Sequence, residues 1–290
     1  VSGPVVLVTG ATDGIGRATA AELARRGATV LVHGRDAGRA RAVADEVAAA
    51  GAEAGAGPPP AWAAEPFVAD LARLAEVRAL ADAVRARAPR LDVLVNNAGV
   101  AFRDAQVRRS VDGLELTVAV NHVAHFVLTA GLRPLLDAAA RPGAPARVVT
   151  VASELHARGR LDPADPLGRA RPPAGGAAYA ASKLANVLFA RALARRADPA
   201  RLVSHALHPG VIKTKLLRDG FGSRGGAAPE RGAATSVHVA LSAEAARATG
   251  GYWVDARPAD AAPAALDDAL GERLWAATEA FAAEGAPTAG

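Results

Sequence analysis

Apolar positions along the chain follow two rhythms, and their alternation predicts the fold. Residues 4–9 (PVVLVT) form a short β-branched run with few polar interruptions, the pattern of a strand buried on both faces. Helical spacing takes over at 15–26, after a cluster of glycines. Further strands are predicted at 28–33, 66–69, 91–95, 147–152, 202–207 and 251–255. Helices are predicted at 36–50, capped by Asp36, and at 71–87, 113–140, 177–196, 231–246 and 266–283. Segments 51–64 (Gly, Ala, Pro) and 155–176 (Arg, Pro, Gly, Asp) read as insertions, and 211–230 as a loop. Strand and helix alternate throughout, so residues 1–290 are expected to form a single α/β domain. Its doubly wound parallel sheet would carry helices on both faces.

Composition removes whole classes of chemistry. The absence of cysteine excludes disulfides, a thiol nucleophile, an iron–sulfur cluster and a thiolate zinc site. The 34 basic and 29 acidic residues leave a net charge of +5, with arginines scattered among acids, and aromatics make up 4%. No nucleic-acid partner is expected from that pattern. The longest uncharged apolar stretch, 116–132, holds Asn121, His122 and His125, so it reads as a buried helix and not a membrane span. The N-terminus lacks a signal-peptide pattern, although a start at Val1 leaves a removed leader open. A cytoplasmic location is expected. Lys183, Lys213 and Lys215 are the only lysines, which makes Lys the more informative cation in this Arg-rich chain.

Three groups of residues carry candidate chemistry. Thr9–Gly16 (TGATDGIG) lies between the first strand and the first helix. Glycines there permit a tight turn, close approach of a pyrophosphate and close helix–strand packing. The helix N-terminus offers N–H groups to phosphate. Tyr179 and Lys183, four apart on a helix, share one face. An ammonium near a phenol favours the phenolate, giving a proton donor and acceptor for a carbonyl/alcohol couple. A chance Tyr–Lys pair at that spacing is expected in only about 2% of chains with these Tyr and Lys counts. Ser153 closes the fifth strand, at a carboxyl end where ligands sit in open α/β sheets; alone, such a Ser is more often a cap. Asn121 lies in the long helix and is equally readable as a buried Asn at a helix kink.

Glycines at 10, 14 and 16, with Tyr179-x-x-x-Lys183 and Ser153, resemble the classical branch of the short-chain dehydrogenase/reductase family. The resemblance implies a Rossmann-type fold. It implies Asn121, Ser153, Tyr179 and Lys183 as the catalytic group, Asn121 holding a water that links Lys183 to solvent. It implies that Gly10, Thr12, Asp13, Gly14, Ile15 and Gly16 hold the dinucleotide, with Asp70 and Leu71 by the adenine. Asn96-Asn97-Ala98-Gly99 matches the family's motif after the fourth strand, with Asn97, Ala98 and Gly99 lining the cofactor. Pro209, Gly210 and Val211, then Thr214, match the segment near the nicotinamide. Val120–Thr129, Ser182–Asn186 and Gly251–Asp255 look more like the retinol dehydrogenase-like group. Ser153 and Tyr179 are 26 positions apart, about twice the usual separation, which also fits that group.

The second strand ends His33-Gly34-Arg35-Asp36. Gly34 stands where an NAD enzyme carries an acid for the ribose 2′-hydroxyl, and Arg35 suits a 2′-phosphate. NADP(H) is therefore expected, with Asp36 keeping NAD(H) open. The resemblance implies a small lipophilic carbonyl or alcohol substrate and often a homo-oligomer paired through the helices of Asn121 and Tyr179. It implies no metal: His122, His125 and His156 read as packing or substrate contacts. Two other readings stay open: reduction of a carbon–carbon double bond, and a catalytically silent NADP(H) sensor or scaffold.

Overall fold

The computed structural model describes residues 3–284; positions 1–2 and 285–290 lie outside them. The chain runs β1 (Val5–Val8), α1 (Gly14–Arg25), β2 (Thr29–Gly34), α2 (Ala37–Glu53), α3 (Ala61–Ala64), β3 (Phe67–Val68), α4 (Leu74–Arg87) and β4 (Val93–Asn96). It continues through α5 (Leu116–Val118), a π-helical turn (Ala119–Val123), α6 (Ala124–Ala139), β5 (Ala146–Val151), a 3₁₀ turn (Glu154–Arg158), α7 (Gly175–Arg196) and β6 (Leu202–His208). It ends with α8 (Lys215–Phe221), α9 (Pro229–Leu241), α10 (Ala243–Ala246), β7 (Tyr252–Val254), β8 (Arg257–Ala259), a 3₁₀ turn (Pro263–Leu266) and α11 (Asp268–Glu284).

The sheet order is β3-β2-β1-β4-β5-β6-β7-β8. Strands β1 to β7 pair in parallel, and β8 runs antiparallel to β7. Period-two alternation splits each strand between two cores. Val5 and Leu7 of β1 join Leu94, Val148 and the apolar faces of α4, α6, α7 and α11. Val6 and Val8 join Val30, Val32, Val95 and Val149 beneath α1, α2 and α9. The winding reverses between β1 and β4, so the crevice at their carboxyl ends is where an open sheet of this type holds its ligand.

Four local expectations need correction. The sheet is not wholly parallel, because a hairpin adds β8. Its turn residues, Asp255 and Ala256, adopt φ of 48° and 59° without a glycine to announce them. The helix expected from 113 begins at Leu116 and carries the π-helical turn. Segment 51–64 is partly helical: α2 runs on to Glu53, and α3 fills Ala61–Ala64. Segment 211–230 contains α8. Among the described residues, no helix is long and apolar enough to cross a membrane.

Candidate active site

The glycine turn is shaped by what surrounds it. Gly10 and Gly14 adopt φ of 63° and 52°, a left-handed backbone that suits glycine. A Cβ on Gly16 would stand 2.3 Å from the Gly10 carbonyl oxygen and 2.4 Å from Asn97 Nδ2. Helix α1 can therefore approach β1 only without a side chain here. Asp13 caps α1, its Oδ1 accepting the Gly14 N–H at 2.7 Å. Buried Thr9 and half-buried Asn97 knit the turn to β4. The Thr9 hydroxyl accepts the N–H groups of Asn97 and Ala98 at 2.9 and 3.0 Å, and Asn97 Nδ2 donates to the Thr9 carbonyl at 2.8 Å.

Two histidines complete this scaffold, and the sequence pattern did not mark them for that role. His33 Nδ1 accepts the Gly10 N–H at 3.2 Å, so its Nε2 carries the proton and donates to the Ala69 carbonyl at 3.2 Å. His125 Nδ1 donates to the Asn121 carbonyl at 3.0 Å, leaving Nε2 to face the Thr9 hydroxyl at 3.3 Å. Burial pushes His33 down to about 4 and His125 down to about 3, and it pushes His122, whose Nε2 meets Thr278, down to about 4. The unfolded rings would bind a proton near pH 6.5, whereas the folded rings stay neutral. Between those limits the unfolded state holds more protons, so acidification favours it. Each ring is expected to cost roughly 1.4 kcal/mol per pH unit across its window. Thermal unfolding from pH 7 to pH 4 tests this: Tm should fall steeply below pH 6.5, and a flat Tm would contradict it.

Beyond the carboxyl end of β5, Ser153, Tyr179 and Lys183 come together. Tyr179 and Lys183 lie one turn apart on α7, with the Lys183 Nζ 5.4 Å from the centre of the Tyr179 ring. Nζ donates to the Val151 carbonyl at 2.8 Å, and Asn186 Nδ2 shares that acceptor at 3.2 Å. Burial raises the Tyr179 phenol to about 12, against the opposing pull of a hydrogen bond with Ser153, and lowers Lys183 to about 7. The expected lowering of the phenol is thus not achieved by the side chains alone, because desolvation of a phenolate outweighs it. Phe221 of α8 packs edge-on against the Tyr179 ring at 5.2 Å.

Asn121 lies in the π-helical turn and is fully buried. Its Oδ1 accepts the Val100 N–H at 2.8 Å, and its Nδ2 donates to the Val100 carbonyl and the Ser182 hydroxyl, both at 3.0 Å. Its side chain therefore braces the segment that follows Gly99. A Cβ on Gly99 would come within 3.3 Å of Asn121 Oδ1.

The remaining predicted residues rim the same crevice. Asp70 Oδ1 accepts the Ala72 N–H at 3.0 Å, with Leu71 buried beside it. A Cβ on Gly34 would stand 2.2 Å from Thr12 Cγ2, so Thr12 fills the space an acid would need. Asp36 is committed as the cap of α2, accepting the Arg39 N–H at 2.8 Å. Arg35 is exposed and, among the described residues, makes no ion pair. After Pro209, Gly210 turns the chain at φ 90°, leaving Val211 exposed. Thr214 caps α8, and its Cγ2 would lie 3.0 Å from a Cβ on Gly14. The loop after β6 thus folds back onto the glycine turn. A groove of about 1230 Å³ runs beside Asp13, Gly14 and Thr214, but Ser153, Tyr179 and Lys183 do not line it, so its size does not mark the chemistry. No cluster of metal-ligating side chains occurs among the described residues.

A glycine turn at the switch point of a doubly wound sheet, facing a Ser–Tyr–Lys group across the crevice, defines a dinucleotide-binding α/β protein. Residues 4–222 match the short chain dehydrogenase family model, and the chain belongs to that family, within its retinol dehydrogenase-like group. It is 37% identical to mouse (Mus musculus) retinol dehydrogenase 14 over 291 residues, covering 96% of this chain and 85% of that protein. It is 39% identical to human (Homo sapiens) dehydrogenase/reductase SDR family member 13 over 300 residues, covering 98% of this chain and 74% of the relative. Among solved structures, the Pseudomonas aeruginosa RhlG/NADP active-site complex is 27% identical. It aligns with a TM-score of 0.69, covering 87% of this chain and 94% of that one.

Proposed function

We propose that this chain is an NADP(H)-dependent oxidoreductase that moves hydride between the nicotinamide and the carbonyl or alcohol carbon of a lipophilic substrate. The observation that carries the reading is the convergence of Ser153, Tyr179 and Lys183 at the end of β5, with the ammonium 5.4 Å from the centre of the phenol ring. The glycine turn fits a dinucleotide, because left-handed Gly10 and Gly14 make a tight turn and Gly16 lets α1 close on β1, so that the N-terminus of α1 can offer its N–H groups to phosphate. The bound cofactor supplies the hydride. Ser153 positions the substrate oxygen. Tyr179 gives or takes the proton at its phenol oxygen, and Lys183 offsets the charge that the phenolate would carry. Asn121 supports this group through the Val100 segment and Ser182.

Three features favour NADP(H): Thr12 occupies the space beside Gly34, Asp36 is engaged as a cap, and Arg35 is exposed and makes no ion pair among the described residues. A guanidinium–phosphate contact is worth about 1.5–3 kcal/mol, so Arg35→Ala should weaken NADPH binding about 10–100-fold and barely change NADH. Steady-state kinetics with both cofactors test this. Equal efficiency of the unmodified protein with NADH overturns the preference.

A screen of NADPH oxidation against aldehydes, ketones, quinones and activated alkenes separates the alternatives. Turnover confined to alkenes would indicate double-bond reduction, and binding without turnover would indicate a sensor. We also propose a cytoplasmic location and self-association through the helices that carry Asn121 and Tyr179. Sedimentation velocity reads the assembly directly.

A further inference from the structure

Ser153 lies just past the sheet: Ala152 still donates to the Leu207 carbonyl at 2.8 Å, and beyond it the chain turns away into the 3₁₀ turn. The Ser153 hydroxyl caps that turn, accepting the Leu155 N–H at 3.2 Å, and the Ser153 carbonyl is held by His156. The backbone N–H of His156 donates to the Ser153 carbonyl at 3.1 Å, and its ring Nδ1 reaches the same oxygen at 2.7 Å. Its other ring nitrogen, Nε2, accepts the Ala262 N–H at 3.0 Å. A carbonyl can only accept and a backbone N–H can only donate, so the proton belongs on Nδ1 and Nε2 is bare. The buried ring is therefore a neutral Nδ1–H tautomer wedged between the candidate catalytic serine and the segment leading into α11.

The surroundings agree with a neutral ring. Tyr252 packs on it with ring centres 4.8 Å apart, and burial keeps that phenol protonated. His208 Nδ1 accepts the Glu154 N–H at 3.2 Å, and its Nε2 lies 3.9 Å from the Glu154 carboxylate. Burial lowers both His156 and His208, while the charges of Glu154 and Asp255 oppose the shift only at His208.

We propose that His156 is a positioning residue: by clamping the Ser153 carbonyl against the Ala262 segment, it sets the serine hydroxyl and makes the C-terminal part of the chain a component of the active site. This inference rests on the carbonyl–alcohol reading of the site. In family terms the serine is the expected residue; its dependence on a segment 106 positions beyond His156 comes from the contacts of the His156 ring.

Two amide substitutions separate the two ring nitrogens. In His156→Asn the amide nitrogen stands near the place of Nδ1 and can still donate to Ser153. In His156→Gln the amide reaches the place of Nε2, can accept from Ala262, and loses the donor to Ser153. With a carbonyl substrate that the unmodified protein reduces, both variants should lose at least about tenfold in kcat, since each breaks one side of the clamp and small displacements of a positioning group are costly. Cofactor Kd should be unchanged in both. Unchanged kcat in either variant, or losses carried by cofactor affinity, would overturn the proposal.

Ala262→Pro removes the N–H without changing a functional side chain, at a φ of −60° that proline accepts. Freed Nε2 could then take a proton, so the acid limb of the kcat–pH profile should move to higher pH; an unmoved limb counts against the clamp. Nitrogen-15 NMR of the histidine rings in the unmodified protein at pH 7 should show His156 protonated at Nδ1 only. The opposite tautomer would overturn the clamp without any substrate. Absence of turnover on every carbonyl, with the Nδ1–H tautomer present, would instead refute the functional reading.

Discussion

Tyr179→Phe is expected to lower kcat by about a thousandfold or more while cofactor affinity stays within a few-fold of the unmodified protein. The substitution removes one oxygen from a ring that is 7% exposed. The ring keeps its edge contact with Phe221 and its place beneath Lys183, so the fold and the dinucleotide crevice are preserved. What disappears is the group that exchanges a proton with the substrate oxygen. Steady-state kinetics with a responsive substrate give kcat, and quenching of protein fluorescence on titration with NADPH gives Kd. Retained turnover with intact cofactor binding would place the proton transfer elsewhere and remove the main support for the proposed mechanism.

Gly16→Ala should do the reverse, damaging binding before chemistry. The added methyl carbon would meet the Gly10 carbonyl oxygen at 2.3 Å and the Asn97 amide at 2.4 Å, both well inside contact distance. Gly10 is main chain and Asn97 is bonded to the Thr9 carbonyl, so neither can yield without moving α1 away from β1. Overpacking of this kind costs about 1–3 kcal/mol of stability. The displaced turn should weaken cofactor binding at least tenfold, an order-of-magnitude figure that follows from about 1.4 kcal/mol per decade. Calorimetric titration and a thermal melt measure the two effects together. An unchanged Kd would mean that the turn does not hold the dinucleotide.

Much of the site was legible because its motifs are local. Tyr179 and Lys183 share a helix face by spacing alone, and the glycine turn announces a strand–turn–helix unit. Asp36 was readable as a cap, and the structure adds that its carboxylate is engaged by the Arg39 N–H. Other elements had no local signal. The β7–β8 hairpin turns on Asp255 and Ala256, which take left-handed backbone without glycine, so no turn residue marked it. The π-helical turn at Asn121 has the same apolar spacing as an α-helix. It is stabilised by bonds to Val100 and Ser182, the latter 61 positions away in sequence.

The histidines show the boundary most clearly. Residue type leaves His125 and His156 as packing residues or substrate contacts and assigns His33 no role. Their roles follow from partners at separations of 23, 116 and 106 residues: the Gly10 amide, the Thr9 hydroxyl and the Ala262 amide. The sequence by itself determined the doubly wound sheet, the glycine turn and the Tyr–Lys pair, because periodicity and spacing act within one or two elements. Only the tertiary structure decided which nitrogen of each ring carries a proton, that burial lifts Tyr179 and lowers Lys183, and that the C-terminal segment reaches Ser153. Those properties depend on desolvation and on hydrogen-bond partners brought together by chain closure, which no local pattern encodes.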